Sequence, residues 1–213
     1  MVMHILILTG GDLDRVFARS YIQTQKFDKV IAADKGLFYA EQIGIRPDFI
    51  LGDFDSCPRE TVKKFEKENI MVLPREKDDT DTGIAMEQAV RMGADKVTVL
   101  GSTGTRLDHV LGNMGQLVYA LKHGVEAYMV DSHNRIRAVD RPLCIDKNEQ
   151  FGNYISLIPV GTVTGVTLHG FYYPLNDDTL LFHETWGISN ELTEESGIVE
   201  MKTGTLLVVE SRD

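Results

Sequence analysis

Apolar and polar positions change period repeatedly along roughly the first 130 residues. Short apolar runs at 3–8, 29–33, 49–51, 70–73, 96–100 and 127–130 have the length of buried strands. Between them, residues 14–22, 36–43, 59–68, 81–92 and 106–122 repeat at helical spacing. The clearest helix is the last, where Leu107, Val110, Leu111, Met114, Leu117, Val118 and Leu121 predict one apolar face. His109, Asn113 and Gln116 share another face of that helix, expected to be polar surface or an interface. Strands alternating with helices predict an α/β fold, with a mainly parallel sheet covered by helices on both faces.

Beyond about residue 140 the texture changes. Runs at 151–159, 162–170, 179–182, 197–202 and 205–210 are short and β-branched, separated by turn residues such as Pro159, Gly161, Gly170, Asn176 and Gly204. That pattern predicts a C-terminal all-β sandwich or barrel. The expected division is 1–140 and 141–213, at Asp140-Arg141-Pro142.

Ligands of parallel sheets bind beyond the carboxyl ends of the strands, and all the polar loops of interest leave a strand there. They are Thr9-Gly10-Gly11-Asp12, Asp34-Lys35-Gly36, Gly52-Asp53-Phe54-Asp55-Ser56, the segment 74–81, and Gly101-Ser102-Thr103-Gly104-Thr105-Arg106-Leu107-Asp108. Five such loops on one rim predict a site.

Composition narrows the chemistry. The formal net charge of −10 argues against a nucleic-acid partner, which normally meets a basic footprint. It is compatible with a nucleotide carried with its metal and favours a cationic small molecule. Cys57 and Cys144 are far apart in sequence, and neither they nor the six scattered histidines show a zinc-type spacing. The apolar opening lacks a basic n-region and a cleavage site, so it reads as a strand rather than a signal peptide. No run approaches a membrane span. A reducing, cytoplasmic setting is expected.

Asp53 and Asp55 stand at i and i+2 and so point the same way in extended backbone. At ~4 Å and an effective dielectric of ~20 their repulsion is about 4 kcal/mol. A cation between them relieves it. Mg²⁺ is the natural candidate, since it binds one or two carboxylates together with water and substrate phosphates; an ordinary polar turn is the alternative. Asp78 or Asp81 could complete such a site, while Thr80 and Thr82 suit a helix N-terminus. The Gly101–Arg106 loop joins strand to helix and suits an anion, although it is neither a Walker A nor a dinucleotide fingerprint. Its glycines could equally be conformational. Arg106 can clamp phosphate oxygens, and Asp108 either orients Arg106, meets substrate or makes a surface ion pair. In the second half, Trp186 precedes a Gly187-Ile188-Ser189-Asn190 turn, which fits either a core aromatic or a clamp for an aromatic cation.

Taken together, these motifs resemble the thiamine pyrophosphokinase (thiamine diphosphokinase) family over nearly the whole chain. The resemblance rests on the order of Asp34-Lys35-Gly36, Asp53-Phe54-Asp55-Ser56, Asp78-Asp79-Thr80-Asp81, the Gly101–Asp108 loop and Ser189-Asn190. It implies an N-terminal α/β domain, a C-terminal β-sandwich and a homodimer. The implied activity is ATP plus thiamine giving AMP and thiamine diphosphate. By position, Asp53, Asp55 and Asp81 would be Mg²⁺ and phosphate carboxylates, joined in catalysis by Arg106 and Asp108, with Asp81 or Asp108 as proton acceptor. Nucleotide contacts are expected from Asp34 and Ser56, from Lys77, Asp78 and Thr80, and from Ser102, Gly104 and Arg106. Thiamine would meet Ser189, Asn190 and Trp186. A Mg²⁺-dependent nucleotidyltransferase and a non-catalytic thiamine or nucleotide sensor are the alternative functions.

Overall fold

In the computed structural model, residues 2–74, 76, 78–104 and 106–213 are described. The chain divides into two compact units, Met1–Ser132 and His133–Asp213. The division falls ahead of Asp140 because Asn134–Val139 forms a strand that pairs with the last strand of the chain.

The first unit alternates strand and helix as the sequence predicts: β1 (His4–Leu8), α1 (Arg15–Thr24), β2 (Lys29–Ala33), α2 (Gly36–Ile43), β3 (Phe49–Gly52), α3 (Arg59–Lys64), β4 (Ile70–Val72), α4 (Asp81–Arg91), β5 (Lys96–Leu100), α5 (Leu107–Lys122) and β6 (Glu126–Val130). These strands lie in the order β4-β3-β2-β1-β5-β6, with every adjacent pair parallel. Ile5, Leu6, Ile7 and Leu8 of β1 have no exposed surface. Such a continuous buried run is expected for a central strand covered on both faces.

The strand order reverses between β1 and β5. Chain connections run outward from both sides of that point, so the loops leaving β1 and β5 diverge and open a crevice, the usual ligand position in such sheets. The two loops are tied at their base. Thr9 N–H donates to Leu100 O at 3.0 Å, Gly11 N–H to Gly101 O at 2.8 Å, and Asp12 N–H to Thr103 O at 3.1 Å.

The buried stripe of α5 differs in phase from the expected one. Leu117 and Ala120 are buried, but Leu107 and Leu111 are 72% and 65% exposed, while Asn113 is buried. Arg106, which precedes the helix, and His109, Val110 and Asn113 of its first two turns line the crevice, and of these only Asn113 is buried.

The second unit is all β, in agreement with the expected class. β7 (Asn134–Val139) and β9 (Tyr154–Pro159) flank β13 (Leu206–Ser211), both antiparallel to it. β8 (Leu143–Asp146), β10 (Thr162–His169), β11 (Asp178–Leu181) and β12 (Ser196–Glu200) form a second sheet in the order β11-β10-β12-β8. Its core includes Ile155, Leu157, Val163, Val166, Val199, Leu206 and Val208. Strand β7 escaped the sequence pattern because Asn134, Arg135 and Arg137 break the apolar run, and β8 because it is only four residues long and ends on Asp146. The charge on β7 is matched inside the fold: Arg135 donates from Nε at 3.0 Å and from Nη2 at 2.6 Å to the fully buried Glu210 carboxylate, which also accepts from Phe151 N–H at 3.0 Å.

Candidate active site

The carboxyl ends of β2 and β3 build an acidic corner. Asp34 adopts φ 48° and Phe54 φ 59°, left-handed values that side chains other than glycine rarely take. Such conformations persist only where their surroundings hold them, and they cluster at functional sites. At Asp34 the holder is β3: its N–H donates to Leu51 O at 2.8 Å. Gly52 completes the fit, because a Cβ there would lie 2.9 Å from Asp34 Cα and its own φ is 145°. At Phe54 the ring packs against the apolar group of Ala32, Leu37, Ile50 and Cys57. Asp53 carboxylate accepts from Asp55 N–H at 3.1 Å, closing the tight turn, and Ser56 hydroxyl donates to Asp55 at 2.9 Å.

The result is that one carboxylate oxygen each from Asp34, Asp53 and Asp55 lie within 4.8 Å of one another. Asp34 is pushed above the ordinary carboxylate range, first by burial, and Asp53 and Asp55 add to the shift through their charge. Its Oδ1 is buried without a hydrogen-bond partner. Hard oxygen donors, crowded like charge and an unsatisfied buried oxygen fit a small divalent cation.

A cavity of about 550 Å³ opens beside this corner. Its walls come from all the loops singled out in the sequence, including Thr9–Asp12, Asp34, Lys35, Ser56, Asp79–Thr82, Ser102–Gly104 and Arg106. Asp81 therefore shares the cleft without belonging to the trio within 4.8 Å. Thr80 caps α4, its Oγ1 accepting from Gly83 N–H at 3.0 Å. Asp79 faces the cleft, while Asp78, expected there, is exposed outside its lining. Lys77 lies outside the described residues.

On the opposite loop, Arg106 and Asp108 form a forked pair, Nε to Oδ1 at 3.2 Å and Nη2 to Oδ2 at 2.6 Å. Asp108 is held below the ordinary carboxylate range by the Arg106 guanidinium, and both side chains are exposed. Asn113, read from sequence as polar surface or an interface, is buried and donates from Nδ2 to Ser102 O at 2.8 Å. It fixes the Gly101–Gly104 loop from behind. A polar residue at the buried phase of α5 was the available signal, hidden by the stronger leucine stripe.

The second unit carries the Ser189-Asn190 turn. Ser189 is exposed with φ 57°, and its N–H donates to Ser156 Oγ at 3.0 Å. Asn190 exchanges backbone hydrogen bonds with Ile155 at 2.7 and 2.9 Å. Its side chain is engaged inside the protein: Oδ1 accepts from Tyr173 N–H at 3.0 Å and Glu191 N–H at 2.9 Å, and Nδ2 donates to Tyr173 O at 2.8 Å. Asn190 thus pins the segment bearing the edge-packed, exposed pair Tyr172 and Tyr173 beside the Ser189 turn. Trp186 is 48% exposed, and its side chain hydrogen-bonds Glu184, lowering that carboxyl's pKa.

Two family models match the chain. That described as "Thiamin pyrophosphokinase, catalytic domain" covers residues 19–129, and "Thiamin pyrophosphokinase, vitamin B1 binding domain" covers residues 142–207. The chain belongs to the thiamine pyrophosphokinase family. Thiamine pyrophosphokinase of Bacillus subtilis (strain 168) is 33% identical over 186 residues, covering 86% of this chain and 87% of that protein. The crystal structure of thiamine pyrophosphokinase from Bacillus subtilis superposes with a TM-score of 0.88 at 31% identity, over 99% of each chain. That of thiamin pyrophosphokinase from Geobacillus thermodenitrificans gives 0.85 at 32% identity, over 99% of this chain and 98% of that one. The yeast enzyme, at 15% identity and a TM-score of 0.78, shares the fold. Membership of a thiamine pyrophosphokinase family leaves the nucleotidyltransferase and sensor readings without support.

Proposed function

We propose that this protein transfers the diphosphate of ATP to the hydroxyl of thiamine, giving thiamine diphosphate and AMP. The observation that carries the reading is the Asp34-Asp53-Asp55 trio at the open end of the parallel sheet, in a chain of this family. No described helix is long and apolar enough to cross a membrane. We place the enzyme in the cytoplasm as a homodimer without nucleic-acid or membrane partners.

Asp53 and Asp55, with Asp34 at the third corner, are the proposed holders of Mg²⁺, which when bound neutralises and orients phosphate oxygens. Asp81, expected in that set, takes the role of a cleft carboxylate near the reacting hydroxyl. It is assigned the hydroxyl proton in preference to Asp108, whose basicity Arg106 reduces. The Ser102–Gly104 backbone, steadied by Asn113, cradles phosphate, and Arg106 offsets the negative charge that grows on the leaving phosphate. Ser56 and Thr80 orient Asp55 and the start of α4 respectively. Thiamine, a cation with aromatic rings, is met by Ser189, Trp186 and the tyrosines that Asn190 holds.

Phosphorus NMR of the protein incubated with ATP, Mg²⁺ and thiamine tests the assignment. Thiamine diphosphate and AMP are the expected products. Release of pyrophosphate in place of AMP overturns it.

A further inference from the structure

The cleft presents more acid than base. Among its described lining residues Asp12, Asp34, Asp79 and Asp81 face only two full cations, Lys35 and Arg106. A nucleotide polyphosphate entering it is a further anion, and a divalent ion at Asp34, Asp53 and Asp55 is already surrounded by carboxylates. Some fixed cation must therefore bind phosphate directly. Arg106 supplies one such charge but shares its fork with Asp108 at 2.6 and 3.2 Å, which leaves need for a second cation.

Lys35 is placed differently. It follows Asp34 directly, so its stem starts beside the acidic corner, at the N-cap of α2, where it makes no side-chain capping hydrogen bond. Gly10 leaves the stem its room: a Cβ at Gly10 would lie 3.3 Å from Lys35 Cβ, tighter than ordinary contact. The ammonium lies 5.1 Å from the centre of the Tyr39 ring, one turn along α2. No carboxylate is ion-paired with it among the described residues. A lysine amine is a full cation at neutral pH. A ring face holds an ammonium more weakly than a phosphate does, and a four-carbon stem can follow a ligand that enters.

We propose that Lys35 is the cation that grips the polyphosphate of the nucleotide in this cleft, with Tyr39 holding its ammonium in reach of the acidic corner. The proposal rests on the assignment of ATP as co-substrate. Tyr39, buried under the ammonium, is a positioning residue and touches no substrate. Lys35 acts on the phosphates beyond the first, because the residue beside it belongs to the trio proposed to bind the phosphate-bridging ion.

Calorimetric titration of ATP with Mg²⁺, and separately of AMP, into the parent protein, Lys35→Met and Lys35→Arg tests this without thiamine. Lys35→Met is expected to weaken ATP by about tenfold or more, the range for a hydrogen bond to a charged group, and to leave AMP affinity and the melting midpoint little changed. Lys35→Arg should retain most of the ATP affinity. In turnover, the KM for ATP should rise while that for thiamine holds. Unchanged ATP affinity in Lys35→Met overturns the proposal, as does equal weakening of AMP and ATP, or a Lys35→Arg chain as weak as Lys35→Met. A parent chain that binds ATP yet forms no thiamine diphosphate overturns the functional assignment instead, and Lys35 is then judged on the titrations alone.

Discussion

The acidic corner of the first unit and the Ser189-Asn190 turn of the second are both built on left-handed residues other than glycine, Asp34 and Phe54 in one and Ser189 in the other. In the corner, backbone, apolar contacts and the Asp53 hydrogen bond to Asp55 N–H hold the turn, yet three carboxylates still converge, with an unsatisfied oxygen on Asp34. In the turn, the polar side chain itself does the holding, and Asn190 has its oxygen and its amide nitrogen engaged. Unsatisfied polar atoms raise the energy of a fold, and satisfied ones specify it. The corner is thus built to receive something, whereas Asn190 is built to position its neighbours.

That contrast can be broken at several points. The largest effect is expected away from both sites, at the buried Glu210, whose removal leaves Arg135 and Arg137 without their shared carboxylate. Glu210→Ala should cost about 3–5 kcal/mol, the range for breaking a buried pair, measured by urea denaturation. A loss below that for an ordinary surface substitution would mean the second unit does not depend on its internal ion pair.

Next comes Asp55→Asn, expected to lower kcat by about 10²–10³-fold, as for loss of one preorganised electrostatic group, with an unchanged urea midpoint. Near-parental kcat in that variant would remove Asp55 from the reaction. Asn190→Ala should do the reverse in kind. It is expected to destabilise the protein by about 2 kcal/mol, through buried partners left unsatisfied, and to raise the KM for thiamine more than that for ATP. Loss of thiamine affinity with no loss of stability would make Asn190 a direct contact instead.

The smallest effect is a pH dependence at Asp34. Its folded pKa is raised, mainly by burial. The stability this carries is fully present below the unfolded carboxylate value of about 3.9, and is lost as pH rises through the elevated folded value. In metal-free buffer Asp34→Asn should therefore melt higher than the parent at neutral pH, with the gap closing as the pH approaches about 4. Added Mg²⁺ should raise the parent's midpoint and affect Asp34→Asn less. A gap that widens on acidification would reverse the assigned sign.

Much of the first unit was legible in the chain. Runs such as His4–Leu8 and Lys96–Leu100 announce central strands because both faces are buried, and glycine-rich and acidic loops mark where they end. β7 was not legible, since Arg135 and Arg137 look like surface until Glu210, distant in sequence, is brought beside them. Asn113 was hidden for the same reason, because its partner Ser102 becomes its neighbour only when the loop folds over α5.

The sequence by itself determined the alternation of elements, the two units and the Asp53-Phe54-Asp55-Ser56 turn, because these depend on local period and on residues adjacent in the chain. Only the tertiary structure decided that Asp34 rather than Asp81 stands within 4.8 Å of that pair, and that Asn190 faces inward. Strand order and helix phase set those distances, and both are fixed by burial summed over the whole unit rather than by any one stretch of it.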